Sequence, residues 1–137
     1  MSNKYTALHG DIYSIFGSEE WINEGIKTFP QNFVGSNLGS EYIRVSILAS
    51  GLNIASMPRA TAGQVIIDIF VPAGDGLKRA AQIADKLDTY LAGKVIKTST
   101  TGMTQFGISS FSPRGDDVVD KNLYRASYSI SFNFFGV

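Results

Sequence analysis

The chain has 137 residues, no cysteine, and a formal charge of zero from 12 basic and 12 acidic side chains. That excludes a disulfide framework and a thiolate metal site, and it argues against a nucleic-acid binder that relies on broad phosphate neutralisation. Charged residues make up 18%, below the roughly 25% usual in soluble domains, which leaves uncharged surface for a protein partner or simply for Ser, Thr and Asn.

A length of this order fits one domain that buries about two-thirds of the surface its unfolded chain exposes. The opening residues MSNKYTALHGD lack the apolar core of a signal peptide. No apolar run approaches the roughly 20 residues of a membrane span, so the chain is expected to be made in the cytosol and to stay soluble. From Lys4 to Phe16, Tyr5, Leu8, Ile12, Ile15 and Phe16 recur at helical spacing, and Gly17 is suited to end that helix with a positive φ. Residues 18–40 are less regular. A short strand is predicted near Gly25–Thr28, followed by a turn-rich linker, GSNLGS at 35–40.

Glu41–Ser50 reads as a strand with Ile43, Val45 and Ile47 on one side and Arg44 and Ser46 on the other. Residues 51–63, GLNIASMPRATAG, form a long connection with no apolar period. Gln64–Val71 is apolar on both faces and is predicted to be a central strand covered by helix. Pro72 ends it, and Asp75 can cap the helix that follows. That helix presents Leu77, Ala80, Ala81, Ala84, Leu87 and Leu91, with Ile83 and Tyr90 on its flank, and Gly93 stops it. Weaker strands are expected at Val95–Ser99 and Met103–Ser110, then a polar connection, SPRGDDVVDKN at 112–122. The last strand is the cleanest. Tyr124, Ala126, Tyr128, Ile130, Phe132 and Phe134 alternate with Arg125, Ser127, Ser129, Ser131 and Asn133. The whole predicts an α+β domain: a mainly antiparallel sheet of about five strands with two helices packed on one face.

Chemistry is sparse. A strand feeding a helix through a glycine turn often carries catalytic groups in α/β enzymes, yet PAGDG at 72–76 offers one carboxylate and two glycines. It matches neither the P-loop nor the dinucleotide fingerprint, and Asp75 would repel a phosphate at the helix start. His9 is the only histidine. A general base needs a partner and a pocket, whereas His9 sits mid-helix near Tyr5 and Tyr13 and reads as a polar tip. Asp116, Asp117 and Asp120 cluster beside Arg114, but without EF-hand spacing or its terminal Glu they read as a solvated acidic loop. Arg114-Gly115-Asp116 spells an adhesion tripeptide too short to carry weight. Lys94, Lys97, Arg114, Lys121 and Arg125 lack the aromatic interleaving of a single-strand binder. No Ser-His-Asp or Cys-His set assembles. Mixed Arg, Lys and Asp do suit a contact between identical subunits.

In their order, the connector IKTFPQNF, the strand EYIRVSIL, the segment GQVIIDIFVPAGDGLKRAAQIADKLDTYL and the alternating terminal strand resemble the small tail-terminator and tail-completion proteins of long-tailed bacteriophages. The resemblance runs from about Tyr5 to Phe135. It is sharpest at Val71-Pro72-Ala73-Gly74, Gly76-Leu77 and the Ala-rich helix holding Ala84-Asp85, and its motif is structural. It implies a single domain over residues 1–137 that forms a homohexameric ring on the last ring of the tail tube, stops tube growth and faces the head connector. The implied partners are further copies of the chain, the tail tube protein and the head–tail connector. No membrane and no sequence-specific nucleic acid is implied, although DNA would pass through the ring lumen. The resemblance also implies a non-enzymatic protein with no cofactor or metal, located in the virion tail or neck and assembled in the host bacterial cytoplasm.

On that footing the expected interface residues are Met57 and Arg59 in the long connection, and Arg114, Asp116, Asp117, Lys121 and Arg125 around the last strand. The Gly35–Ser40 and Gly51–Gly63 segments depart from the larger members of the family. Two alternatives stay open. One is another neck, head-completion or baseplate component of similar fold. The other is a small-molecule-binding α+β domain with its site at the Gly74–Gly76 turn.

Overall fold

The computed structural model describes residues 4–30, 41–49, 60–74, 76–97, 102–116 and 123–136. In chain order these form helix α1 (Lys4–Phe16), helix α2 (Glu19–Asn23), strands β1 (Lys27–Pro30), β2 (Tyr42–Ala49) and β3 (Ala60–Pro72), helix α3 (Gly76–Leu91), and strands β4 (Val95–Ile96), β5 (Gly102–Asp116) and β6 (Leu123–Gly136). The strands make one sheet in the order β1-β2-β3-β6-β5-β4. β1 runs parallel to β2, and every other pairing is antiparallel. The expected α+β architecture is therefore present, its six strands falling at the expected segments and a short third helix, α2, added.

The alternation in sequence decides which face the helices cover. Ile43, Val45 and Ile47 of β2 pair with Ile69, Ile67 and Val65 of β3, and those pair in turn with Ala126, Tyr128 and Ile130 of β6. All of these side chains are buried and share one hydrophobic cluster with Leu8, Ile12 and Ile15 of α1 and Ala80, Ile83, Ala84, Leu87 and Leu91 of α3. Each fully buried Leu, Ile or Phe in such a layer contributes about 1.5–3 kcal/mol. The small alanines at 80 and 84 let the α3 backbone lie close to β3 and β6.

The two helices rotate slightly from the faces their periodicity suggests. Tyr5 is 54% and Leu77 49% exposed, while Ile83, expected on the flank, is fully buried. Asp11 sits in the core layer at 0% exposure. Gly17 is not among the glycines with positive φ, because the chain does not leave α1 for a loop. It turns directly into α2, whose N-cap Ser18 accepts the Trp21 N–H at 3.3 Å. Trp21 is buried, edge-on to Phe16 at 5.4 Å and to Tyr90 at 5.2 Å. Its indole N–H donates to Thr28 Oγ1 at 2.9 Å, so α2 is pinned to the helix-covered side of β1.

Several boundaries differ from expectation. β3 begins at Ala60, so the end of the supposed long connection is strand. Within it Gly63 has no alternative: an added Cβ would lie 2.1 Å from the Leu48 carbonyl oxygen and 2.9 Å from the Phe132 ring. β5 continues through Ser112–Asp116, which was expected as a polar loop. It runs there beside β6, with irregularities after Phe106 and after Pro113, the second at Gly115 with φ 89°. Such bulges let an extended strand carry Pro and Gly without losing its register altogether.

Candidate functional site

The face of the sheet away from the helices is built from the other half of the same alternation. Across β2, β3 and β6 the register aligns Tyr42 with Phe70 and Phe70 with Arg125, and in the next row Arg44 with Asp68 and Asp68 with Ser127. Further rows place Ser46 beside Ile66 and Ile66 beside Ser129, then Leu48 beside Gln64 and Gln64 beside Ser131. Ser129 also shares a 2.8 Å hydroxyl hydrogen bond with Ser110 of β5. One end of this face is aromatic and charged, and the rest mixes serines and Gln64 with Ile66 and Leu48.

At the charged end, Asp68 receives two guanidinium groups. Arg44 Nη2 donates to Oδ2 at 3.2 Å and Arg125 Nη2 to Oδ1 at 3.0 Å. The carboxylate side chain is 13% exposed, against 33% for Arg44 and 38% for Arg125. Both arginines lie over the Phe70 ring, at 5.5 and 5.8 Å. Tyr42 stacks on the same ring at 4.6 Å and 15°, and Phe29 meets Tyr42 edge-on at 5.9 Å. Two cations against one anion leave the cluster with an excess positive charge. Arg125 Nε is buried with no acceptor, an arrangement that ordinarily costs about 1–3 kcal/mol. Planar guanidinium groups on aromatic rings, with N–H donors to spare, make a surface suited to carboxylates.

A second polar group lies on the helix-covered side. Tyr128 Oη and Ser109 Oγ both donate to Asp88 Oδ1 at 2.6 Å. Burial, then the bond to Asp88, raises the Tyr128 phenol well above its ordinary range. The cleft beside it, lined by Ala81, Ala84, Asp85 and Phe111 together with this trio, holds about 120 Å³. Small-molecule sites usually enclose about 300–1,000 Å³, so this one has room for a few waters. A third group, Thr104 Oγ1 donating to Asp11 Oδ2 at 2.8 Å, is fully buried between β5 and α1 and holds those elements together.

Of the interface residues expected from sequence, Arg125 belongs to the charged cluster, and Arg114 is exposed on β5. Asp116 is the last residue of that strand. Met57, Arg59, Asp117 and Lys121 lie outside the described residues, as does Asp75 with its expected capping role. His9 is exposed on α1, its ring 6.2 Å from that of Tyr13. Gly74 is exposed, and Gly76 takes φ 37° at the start of α3. Among the described residues no group of three His, Cys, Asp or Glu is placed to hold a metal ion, and no helix is long and apolar enough to cross a membrane. Sequence reasoning missed the Asp68 cluster and the Asp88 trio. The available signal was Asp68 itself, the one charged residue of β3, with Arg44 at the matching place in its neighbour.

No family model matches this chain, and no curated protein matches it. Solved structures do share its fold. One is a chain from the virion of a native gene transfer agent particle, with a TM-score of 0.69 at 12% identity, covering 98% of this chain and 98% of that one. Another, whose name states no activity, has a TM-score of 0.63 at 15% identity and covers 95% of this chain and 92% of its own. At these identities the likeness is one of fold, and it extends over nearly the full length of each chain.

Proposed function

We propose that this chain is a non-enzymatic structural protein of a phage-like virion, and that its place is the end of the tail. There, copies of it form a ring, most simply a hexamer, that caps the tail tube, ends tube polymerisation and offers the surface to which the head connector joins. The observation that carries this reading is the end-to-end likeness to a chain of a gene transfer agent virion. The open sheet face supports it. A face with serines in register on β6 and one charged aromatic end suits contact with another protein better than turnover of a small substrate. The implied partners are other copies, the tail tube protein and the head–tail connector, with packaged DNA passing through the lumen unread. The virion tail or neck, assembled in the host bacterial cytoplasm, is the corresponding location.

The test is removal of the chain from a producing strain. Tubes should then grow beyond their normal length and stay unjoined to filled heads, and wild-type protein added to the extract should cap them. Tubes of normal length that still lack heads would move the chain to another neck component. Particles complete in all respects would overturn the virion reading.

A further inference from the structure

We infer that the Arg44–Asp68–Arg125 cluster over Phe70 is the receiving half of a head-to-tail contact between copies of this chain, and that the outer surface of α2 is the inserting half. The inference rests on the ring reading above and names the surfaces that would build the ring.

The receiving half is positive, aromatic and underused. Each arginine gives Asp68 one Nη2 donor, and the Arg44 and Arg125 side chains remain 33% and 38% exposed. The inserting half is its complement. Glu19 and Glu20 are both exposed and form no ion pair among the described residues, and Ile22 beside them is 63% exposed. The nearby carboxylate that is paired is Glu24, held by Lys86 at 3.0 Å. Trp21 fastens α2 to the helix-covered side of the sheet, while the arginine cluster is on the opposite face. One copy therefore cannot bring its own two patches together, and a neighbour can. Two different patches on opposite sides of one subunit define a heterologous contact, which closes into a ring when the rotation per copy permits. The balance of 12 basic and 12 acidic residues fits copies that match sign within each joint. Carboxylates of α2 would meet guanidinium donors, and Ile22 would pack on the half-buried Tyr42, which covers a Phe70 ring only 3% exposed.

Charge reversal distinguishes this pairing from any other. Arg125→Glu leaves a copy with two acidic patches, and the combined change Glu19→Arg with Glu20→Arg leaves a copy with two basic ones. Sedimentation of each alone should show self-association weakened at least tenfold relative to wild type. An equimolar mixture should recover assemblies holding the two variants in equal numbers, since each acidic patch then meets a basic one. Melting curves check that both variants are folded. If Arg125→Glu fails that check beside Asp68, Arg125→Gln replaces it, with the same tenfold weakening expected alone. Variants that assemble like wild type, or a mixture that stays apart although each variant is folded, overturn the pairing and leave the ring reading standing. Variants that self-associate normally but no longer bind tubes would assign the cluster to the tube protein and likewise overturn it. Wild-type protein that stays monomeric both free and on purified tubes would remove the ring reading itself.

Discussion

The two faces of this sheet are made from the same three strands and obey different chemistry. On one, Ile67, Tyr128 and Phe132 are buried under α1 and α3. On the other, one residue along from each, lie Asp68, Ser129 and Ser131. Because strand side chains alternate with a period of two, one run of sequence writes both. The covered face determines whether the chain folds. The open face is buried at Asp68, Phe70 and Ser127 and exposed at Gln64 and Ser131, and it holds the groups suited to meeting another molecule. Core side chains tolerate few changes of volume, while exposed polar positions of the other face, such as Gln64 and Ser131, can be altered with small effect on stability. Fold and contact can therefore change independently while sharing residues that are neighbours in sequence.

Mutations can break that division or sharpen it. The largest effect is expected at Gly63, where an added Cβ would meet the Leu48 carbonyl oxygen at 2.1 Å. Gly63→Val should prevent stable pairing of β2 with β3, leaving no cooperative thermal transition, and an ordinary transition would show that the strands can separate there. Next is Phe132→Ala. Its ring is 1% exposed, and loss of burial plus the cavity should cost about 3–5 kcal/mol by urea denaturation. Smaller is Asp68→Ala, which removes the acceptor from two half-exposed arginines and should cost about 1–3 kcal/mol. A cost as large as that at Phe132 would show that the open face is also needed for folding.

The smallest effect belongs to Tyr128→Phe, about 1 kcal/mol near neutrality for the lost hydrogen bond to Asp88, and it carries a pH signature. Folding raises the phenol above its ordinary value of about 10. The neutral form is thus favoured in the folded state, and the stability this supplies is full below pH 10 and is lost as pH rises beyond it. Urea midpoints at pH 8 and pH 11 should show wild type losing more than Tyr128→Phe between the two. Equal losses would mean that the Tyr128–Asp88 pair does not control alkaline stability.

Periodicity made the helices and the long strands legible, because apolar residues at spacing two or 3.6 reflect burial directly. It did not reveal α2, since five residues are too few to show a period and the capping signal at Ser18 lay inside an irregular stretch. Nor did it extend β5 through Pro113, Arg114 and Gly115, where turn-forming residues are carried by a bulge instead of a turn. The arginine cluster was illegible for a different reason. Arg44 and Asp68 are separated by 24 positions, and Asp68 and Arg125 by 57. They meet only because β6 pairs with β3 in one register, and a shift of one residue would send Arg125 to the helix-covered side.

The strand order also bears on when the molecule comes into being. β6 is the last of the six strands in chain order, yet it lies between β3 and β5 and pairs with both. During synthesis the sheet remains in two separate pieces until residues 123–136 have left the ribosome. A chain cut short by stalling or premature termination would lack both the seam of the sheet and Arg125, so it could complete neither its core nor the Asp68 cluster.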